Sequence, residues 1–144
     1  MQQPVIATFY DHILDIAKQE GCSVQEALSE AKKLGVTALE VSCMNTRGRA
    51  RELSRELLDA GMGITTMPAF FSFESDPDVE QKAEEFFADA KTIGADTLLV
   101  IPGFLPEGAD PEECTRVMIE RTKRLSELAA KAGLALTMED FDNK

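Results

Sequence analysis

The stretch Gly94-Ala95-Asp96-Thr97-Leu98-Leu99-Val100-Ile101-Pro102-Gly103 decides the fold. A glycine closes the amphipathic segment before it, an apolar run follows from Thr97 to Ile101, and a Pro-Gly pair ends the run. This is the punctuation of a helix that feeds a short buried strand. The device recurs at Gly35, Gly61 and Gly133, each closing a helical stretch and preceding a short apolar run. Strands are expected at 5–9, 38–43, 63–67, 97–101 and 134–138. Such strands alternating with helices imply β-α-β crossovers and a mainly parallel sheet covered by helices, an α/β architecture in a single domain over residues 1–144.

The helices between these strands carry their own start signals. Ser23-Val24-Gln25-Glu26 is a capping box that opens a helix over 23–34, with Ala27, Leu28, Ala31 and Leu34 on one face. A second helix is expected over 46–60 around Ala50, Leu53, Leu57 and Leu58. A third follows Ser75-Asp76-Pro77, read as a cap with proline at the first helical position, and turns Val79, Ala83, Phe86, Phe87 and Ala90 inward. The fourth starts at Asp110-Pro111 and runs to Lys131 with Val117, Ile119, Leu125, Leu128 and Ala129 as its stripe.

At 144 residues and 44% hydrophobic, the chain can bury a core without covalent staples. A formal charge of −11 opposes binding to nucleic acid phosphates or anionic lipid and favours small-molecule or protein partners. Cys22, Cys43 and Cys114 are scattered and odd in number, so they are expected to be reduced thiols rather than a disulfide framework or zinc cluster. No basic region with a long apolar run opens the sequence, and no stretch approaches the roughly 20 apolar residues that span a bilayer, so the expected location is the cytoplasm.

Parallel α/β folds gather their ligands at the carboxyl ends of the strands. Those ends are Tyr10-Asp11-His12, Ser42-Cys43-Met44-Asn45, Pro68-Ala69-Phe70-Phe71, Pro102-Gly103-Phe104 and Glu139-Asp140-Phe141-Asp142-Asn143. Glu139 follows an apolar run, so its carboxylate projects from a strand end, where a metal or cation is a natural partner. An ion pair or ordinary loop acid is the other reading. His12, the one histidine, suits general acid/base work or a substrate hydrogen bond, or else it is a capped, solvent-facing side chain. Glu40, inside its strand, reads as a buried structural polar group. Phe70, Phe71 and Phe73 either wall a pocket or belong to the core. Candidate substrate contacts are Phe70, Pro102, Gly103 and Asn143. Phosphate-loop, dinucleotide and serine-nucleophile motifs are absent from the sequence, which counts against those chemistries.

Taken in order, the opening strand with Asp11-His12, Leu34-Gly35-Val36 to Leu39-Glu40-Val41, Gly94-Ala95-Asp96 to Ile101-Pro102-Gly103, and Leu136-Thr137-Met138-Glu139-Asp140-Phe141-Asp142 resemble the xylose-isomerase-like TIM barrels of sugar phosphate isomerases and epimerases. The resemblance implies that Glu139 is one of four ligands to a divalent cation (Mn, Mg, Zn or Co), with the other three ligands on later strands. It implies a sugar or sugar phosphate substrate, interconverted by isomerisation or epimerisation. The sequence ends soon after Glu139, whereas a whole barrel needs about 250 residues. About four and a half of eight β/α units are therefore expected, with an incomplete site and an exposed strand edge that favours a homo-oligomer or association with the absent half. Two alternatives compete: a self-contained flavodoxin-like binding or signalling domain, and a non-enzymatic scaffold. Strand order 1-2-3-4-5 favours the barrel, and 2-1-3-4-5 the flavodoxin-like sheet.

Overall fold

A computed structural model describes residues 5–139. Its elements are β1 (Ala7–Phe9), α1 (Tyr10–Glu20), α2 (Val24–Lys33), β2 (Ala38–Glu40), α3 (Cys43–Thr46), α4 (Ala50–Asp59), β3 (Gly63–Phe71), α5 (Val79–Ile93), β4 (Thr97–Pro102), α6 (Pro111–Ala132) and β5 (Ala135–Met138). All strand pairs are parallel, and the order across the sheet is β1-β2-β3-β4-β5. This is the sequential order of a barrel, and the doubly wound flavodoxin-like alternative is thereby set aside.

Strand alternation divides the sheet into two faces. Leu39, Met67, Ala69, Leu98 and Val100 are buried in one core with Tyr10, Ile13, Leu28, Leu53, Leu57, Phe87 and Leu125 from the helices. The opposite face stays open, with Phe9, Phe70, Leu99 and Ile101 along it. The capping box at Ser23 forms as expected: the Glu26 amide donates to Ser23 Oγ at 3.2 Å, and the Ser23 amide donates to Glu26 Oε2 at 2.8 Å. The four helix-closing glycines all take positive φ, between 66° at Gly61 and 95° at Gly35.

Several boundaries differ from the sequence reading. Tyr10-Asp11-His12 is not a loop: it opens α1, whose Tyr10, Ile13 and Ala17 are buried. That helix starts without a side-chain cap at Phe9, so the usual start signal is missing. The helix expected over 46–60 starts at Ala50, as α4, and the short α3 over Cys43–Thr46 precedes it across Arg47-Gly48-Arg49. Pro77 lies before α5, which starts after Asp78 without a side-chain cap, because Asp76 organises its own turn: its Oδ1 accepts the Asp78 amide at 2.9 Å and its other oxygen pairs with Lys82. β3 runs on to Phe71, whereas β2 stops at Glu40. Leu34, Leu58 and Ile119 are exposed rather than inward-facing.

Near the site, β2 and β3 slip register between Leu39 and Glu40, so that Leu39 pairs with Ile64 but Glu40 with Thr66. The extra residue, Thr65, donates its hydroxyl to the Leu39 carbonyl at 3.4 Å, and the Val41 amide rejoins the ladder at the Thr66 carbonyl, 3.0 Å away. The bulge bends β3, the strand that carries the extra residue.

Candidate active site

The carboxyl ends of the strands enclose a concavity of about 430 Å³ lined by Phe9, Asp11, Ser42, Met44, Pro68, Phe70, Leu99, Ile101 and Glu139. Each of the five strands or its following segment contributes, as the position of sites in this architecture requires. The walls are apolar and the polar groups few, which is the composition of a small-molecule site. A second hollow of about 330 Å³ adjoins it across Phe70 and Ile101 and is lined also by Phe71, Ser72, Pro102, Gly103 and Phe104. A larger cavity of about 510 Å³ shares Met44 and Phe70 but lies against α5. It is lined by two bases, Arg47 and Lys82, and two acids, Glu85 and Asp89, and stands apart from the strand-end acids.

Glu139 is held by its backbone: its amide donates to the Val100 carbonyl at 3.1 Å, one step beyond the last β4–β5 pair. Its side chain is exposed, with no ion-pair partner among the described residues. Asp11 reaches the same concavity from the first turn of α1. Asn45 Nδ2 donates to both of its oxygens, each at 3.1 Å. The meeting of Asp11 with Asn45 was not visible in the sequence, where they are separated by a helix pair and a strand. The nearest signal was that each stands at a strand end.

His12 sits one position on in α1, exposed, with Nδ1 and Thr8 Oγ1 hydrogen-bonded at 3.2 Å. Its ring meets Phe9 edge-on, centroids 5.4 Å apart; Phe9 lines the concavity, and His12 is not among its lining residues. Phe70 is 51% exposed and lines both hollows, whereas Phe71 and Phe73 are buried and stack on one another. The aromatic run is thus divided between pocket and core. Pro102 and Gly103 line the adjoining hollow, and a Cβ on Gly103 would stand 3.1 Å from the Phe71 carbonyl oxygen. Glu40 is half-buried, opposite Phe9 in the β1–β2 register and so on the open face. Asn143 lies outside the described residues.

Two further titratable groups lie behind the site, in the core and against the helices, and do not line it. Tyr10 is buried, and its hydroxyl donates to Glu56 Oε1 at 3.4 Å; burial, then the Glu56 charge, push its pKa up to about 12. Arg49 Nη2 completes the cluster at 3.0 Å from Glu56 Oε2. Burial also raises the Cys43 thiol, which leaves it a core side chain rather than a nucleophile. Cys22, Cys43 and Cys114 are all free thiols.

As to a metal, the exposed Glu139 carboxylate is a hard oxygen donor of the kind divalent cations take, and Asp11 opens on the same space. Among the described residues no three His, Cys, Asp or Glu side chains converge as a ligand set. The Glu139 carboxylate fits one share of a cation site.

Five parallel strands in sequential order, the first four each followed by helix, with polar groups at the strand ends define a partial TIM barrel. The chain belongs to the xylose isomerase-like TIM barrel family, whose model matches residues 28–144. Among solved structures it is similar to a sugar phosphate isomerase/epimerase from Parabacteroides distasonis ATCC 8503, with a TM-score of 0.67 and 16% identity over 100% of this chain and 59% of that one. It is also similar to a xylose isomerase domain containing protein from Salmonella typhimurium LT2, with a TM-score of 0.68 and 23% identity over 98% and 52% of the two chains. A third similar structure is the IOLI protein with a binding zinc atom, at a TM-score of 0.64 and 15% identity over 80% and 45%. The chain spans about half the length of these proteins. At these identities the likeness is one of fold. No curated protein matches the chain. Among the described residues, no helix is long and apolar enough to cross a membrane.

Proposed function

We propose that this chain, as one domain over residues 1–144, is the N-terminal part of a metal-dependent isomerase or epimerase acting on a sugar or sugar phosphate, and that alone it holds an incomplete site. The observation that carries the reading is Glu139, exposed at the end of β5 on the rim of the strand-end concavity. Glu139 would hold a divalent cation (Mn, Mg, Zn or Co) as one ligand among several. When bound, such a cation polarises the carbonyl and hydroxyl oxygens of a substrate.

The chain's own residues supply the rest of this half. Phe9, Phe70, Leu99 and Ile101 offer apolar walls for the C–H face of a sugar and exclude water from it. Pro102, Gly103 and, beyond the described residues, Asn143 complete the substrate contacts. His12, next to Asp11 in α1, would take or give a proton at a substrate hydroxyl. The protein works in the cytoplasm and assembles with a second copy or with the remaining half of the barrel, which covers the β5 edge.

Calorimetric titration of Mn²⁺ and Zn²⁺ tests this, using this chain and a form extended to the about 250 residues of a whole barrel. Tight binding by the extended form alone, lost in Glu139→Gln, is the expected result. Tight binding by the short chain, or unchanged affinity in Glu139→Gln, would overturn the reading.

A further inference from the structure

A cavity larger than the strand-end concavity, about 510 Å³, lies where α3, the end of β3 and α5 meet. Its lining runs only from Cys43 to Asp89, so this chain supplies every wall, and the volume is that of a small-molecule pocket. Part of the wall is aromatic. Phe70 is half-exposed there, and Phe86 is fixed by an edge-on contact with the buried Phe71, ring centroids 5.4 Å apart.

The charges around this cavity do not neutralise one another. Lys82 is already paired with Asp76, but Arg47, Glu85 and Asp89 have no ion-pair partner among the described residues. Burial is the main cause of the raised Cys43 pKa, and among the charges Arg47 lowers it and Asp89 raises it. Both therefore stand within electrostatic reach of one sulfur in the cavity wall. Opposite charges that share a cavity without meeting leave a gap that a ligand can bridge. Glu85 and Asp89 lie one turn apart on α5, where like charges repel. Asp89 is also half-buried, which adds a desolvation cost to a carboxylate without a counter-ion. An ammonium group answers both, because its three N–H donors can bridge two carboxylates. The Arg47 guanidinium presents a planar fork that takes a carboxylate through two bonds.

We infer that this cavity binds an apolar α-amino acid, with its carboxylate on Arg47, its ammonium group between Glu85 and Asp89, and its side chain against Phe70 and Phe86. The site shares Phe70 with the strand-end concavity but none of its acids, and the inference uses neither Glu139 nor the sugar reading.

The probe is L-phenylalanine, titrated into this chain and followed by backbone amide chemical shifts. Two half-ligands are titrated beside it: 3-phenylpropionate, which lacks the ammonium group, and phenethylamine, which lacks the carboxylate. Neither Arg47→Gln nor the double variant Glu85→Gln/Asp89→Asn breaks an ion pair among the described residues, so both should fold as the parent chain does. L-phenylalanine should move amides within 43–48 and 82–89. Arg47→Gln is expected to weaken L-phenylalanine and 3-phenylpropionate roughly tenfold, the scale of a hydrogen bond to a charged group, and to leave phenethylamine binding undiminished. Glu85→Gln/Asp89→Asn should weaken L-phenylalanine and phenethylamine by a similar factor and spare 3-phenylpropionate. No L-phenylalanine binding by the parent chain, shifts confined to other segments, undiminished L-phenylalanine binding in either variant, or loss of the half-ligand that a variant should keep would each overturn the inference.

Discussion

The backbone amide of Glu139 is hydrogen-bonded to the carbonyl of Val100 at 3.1 Å, so the site's strand-end acid is positioned by the sheet and not by its own side chain. Glu139→Gln keeps that bond and removes only the charge. Thermal unfolding of this chain should therefore be the same for Glu139→Gln and the parent sequence to within about 0.5 kcal/mol, the range of ordinary surface changes. A large loss would mean that the carboxylate is structural.

Tyr10 gives a test at alkaline pH. Its pKa is raised in the folded protein to about 12 from an ordinary value of 10.0, chiefly by burial. The folded state therefore holds the phenolic proton more tightly than the unfolded one. The associated stability is complete below pH 10 and is lost as pH rises toward 12. Tyr10→Phe should lower stability at pH 7 by about 1 kcal/mol through the lost Glu56 hydrogen bond and flatten the decline in that alkaline window. Chemical denaturation at stepped pH reads both effects.

At acid pH the relevant pair is Asp76 with Lys82. The hydrogen bond from the Lys82 ammonium holds the Asp76 carboxyl below its usual range. Its stabilising effect is present above the unfolded value of about 4 and disappears as pH falls through the lower folded value. Asp76→Asn should remove the whole of this acid limb and Lys82→Gln the part that Lys82 contributes, the Asp78 amide still holding the carboxyl down, and the double variant should remove no more than Asp76→Asn. Independent, additive effects would show that the pair is not coupled.

The phenylalanines separate core from surface. Phe73 is 0% exposed, with its ring stacked 5.6 Å from Phe71, and Phe104 is 76% exposed. Phe73→Ala should cost about 3–5 kcal/mol by transfer and cavity terms. Phe104→Ala should cost less than about 0.5 kcal/mol. Equal losses in a denaturant titration would contradict this division.

Gly103→Ala should destabilise the ends of β3 and β4, because the new methyl would stand 3.1 Å from the Phe71 carbonyl and 3.3 Å from the Ser72 Cα, both backbone atoms that cannot swing aside. A cost of about 1–3 kcal/mol is expected from overpacking, measured by thermal unfolding. A neutral substitution would show that the two loops part easily.

The sequence was most legible where local chemistry and tertiary position agree. The helix-closing glycines announced four of the five strands, since only a left-handed residue lets a helix end and a strand begin within a few positions. α1 escaped notice although Tyr10, Ile13, Leu14 and Ala17 have helical spacing, because Phe9 supplies no cap and the strand runs directly into the helix. Glu139 stood out because an acid at the end of an apolar run is locally unusual. Asp11 and Asn45 did not, because their partnership exists only after β1 and β2 align, and no spacing rule encodes it. Phe70 and Phe71 look alike in sequence and differ only by strand alternation, which becomes readable once β3 is known to reach Phe71.

The sequential strand order also governs how the molecule comes into being. The pairings join residues 7 and 38, 38 and 63, 66 and 97, and 97 and 135, so each strand seeks only the one synthesised just before it. Closure loops stay short, and their entropic cost does not grow as the chain lengthens. A nascent polypeptide can thus add one finished unit after another as it leaves the ribosome, each new strand finding its partner already in place beside it.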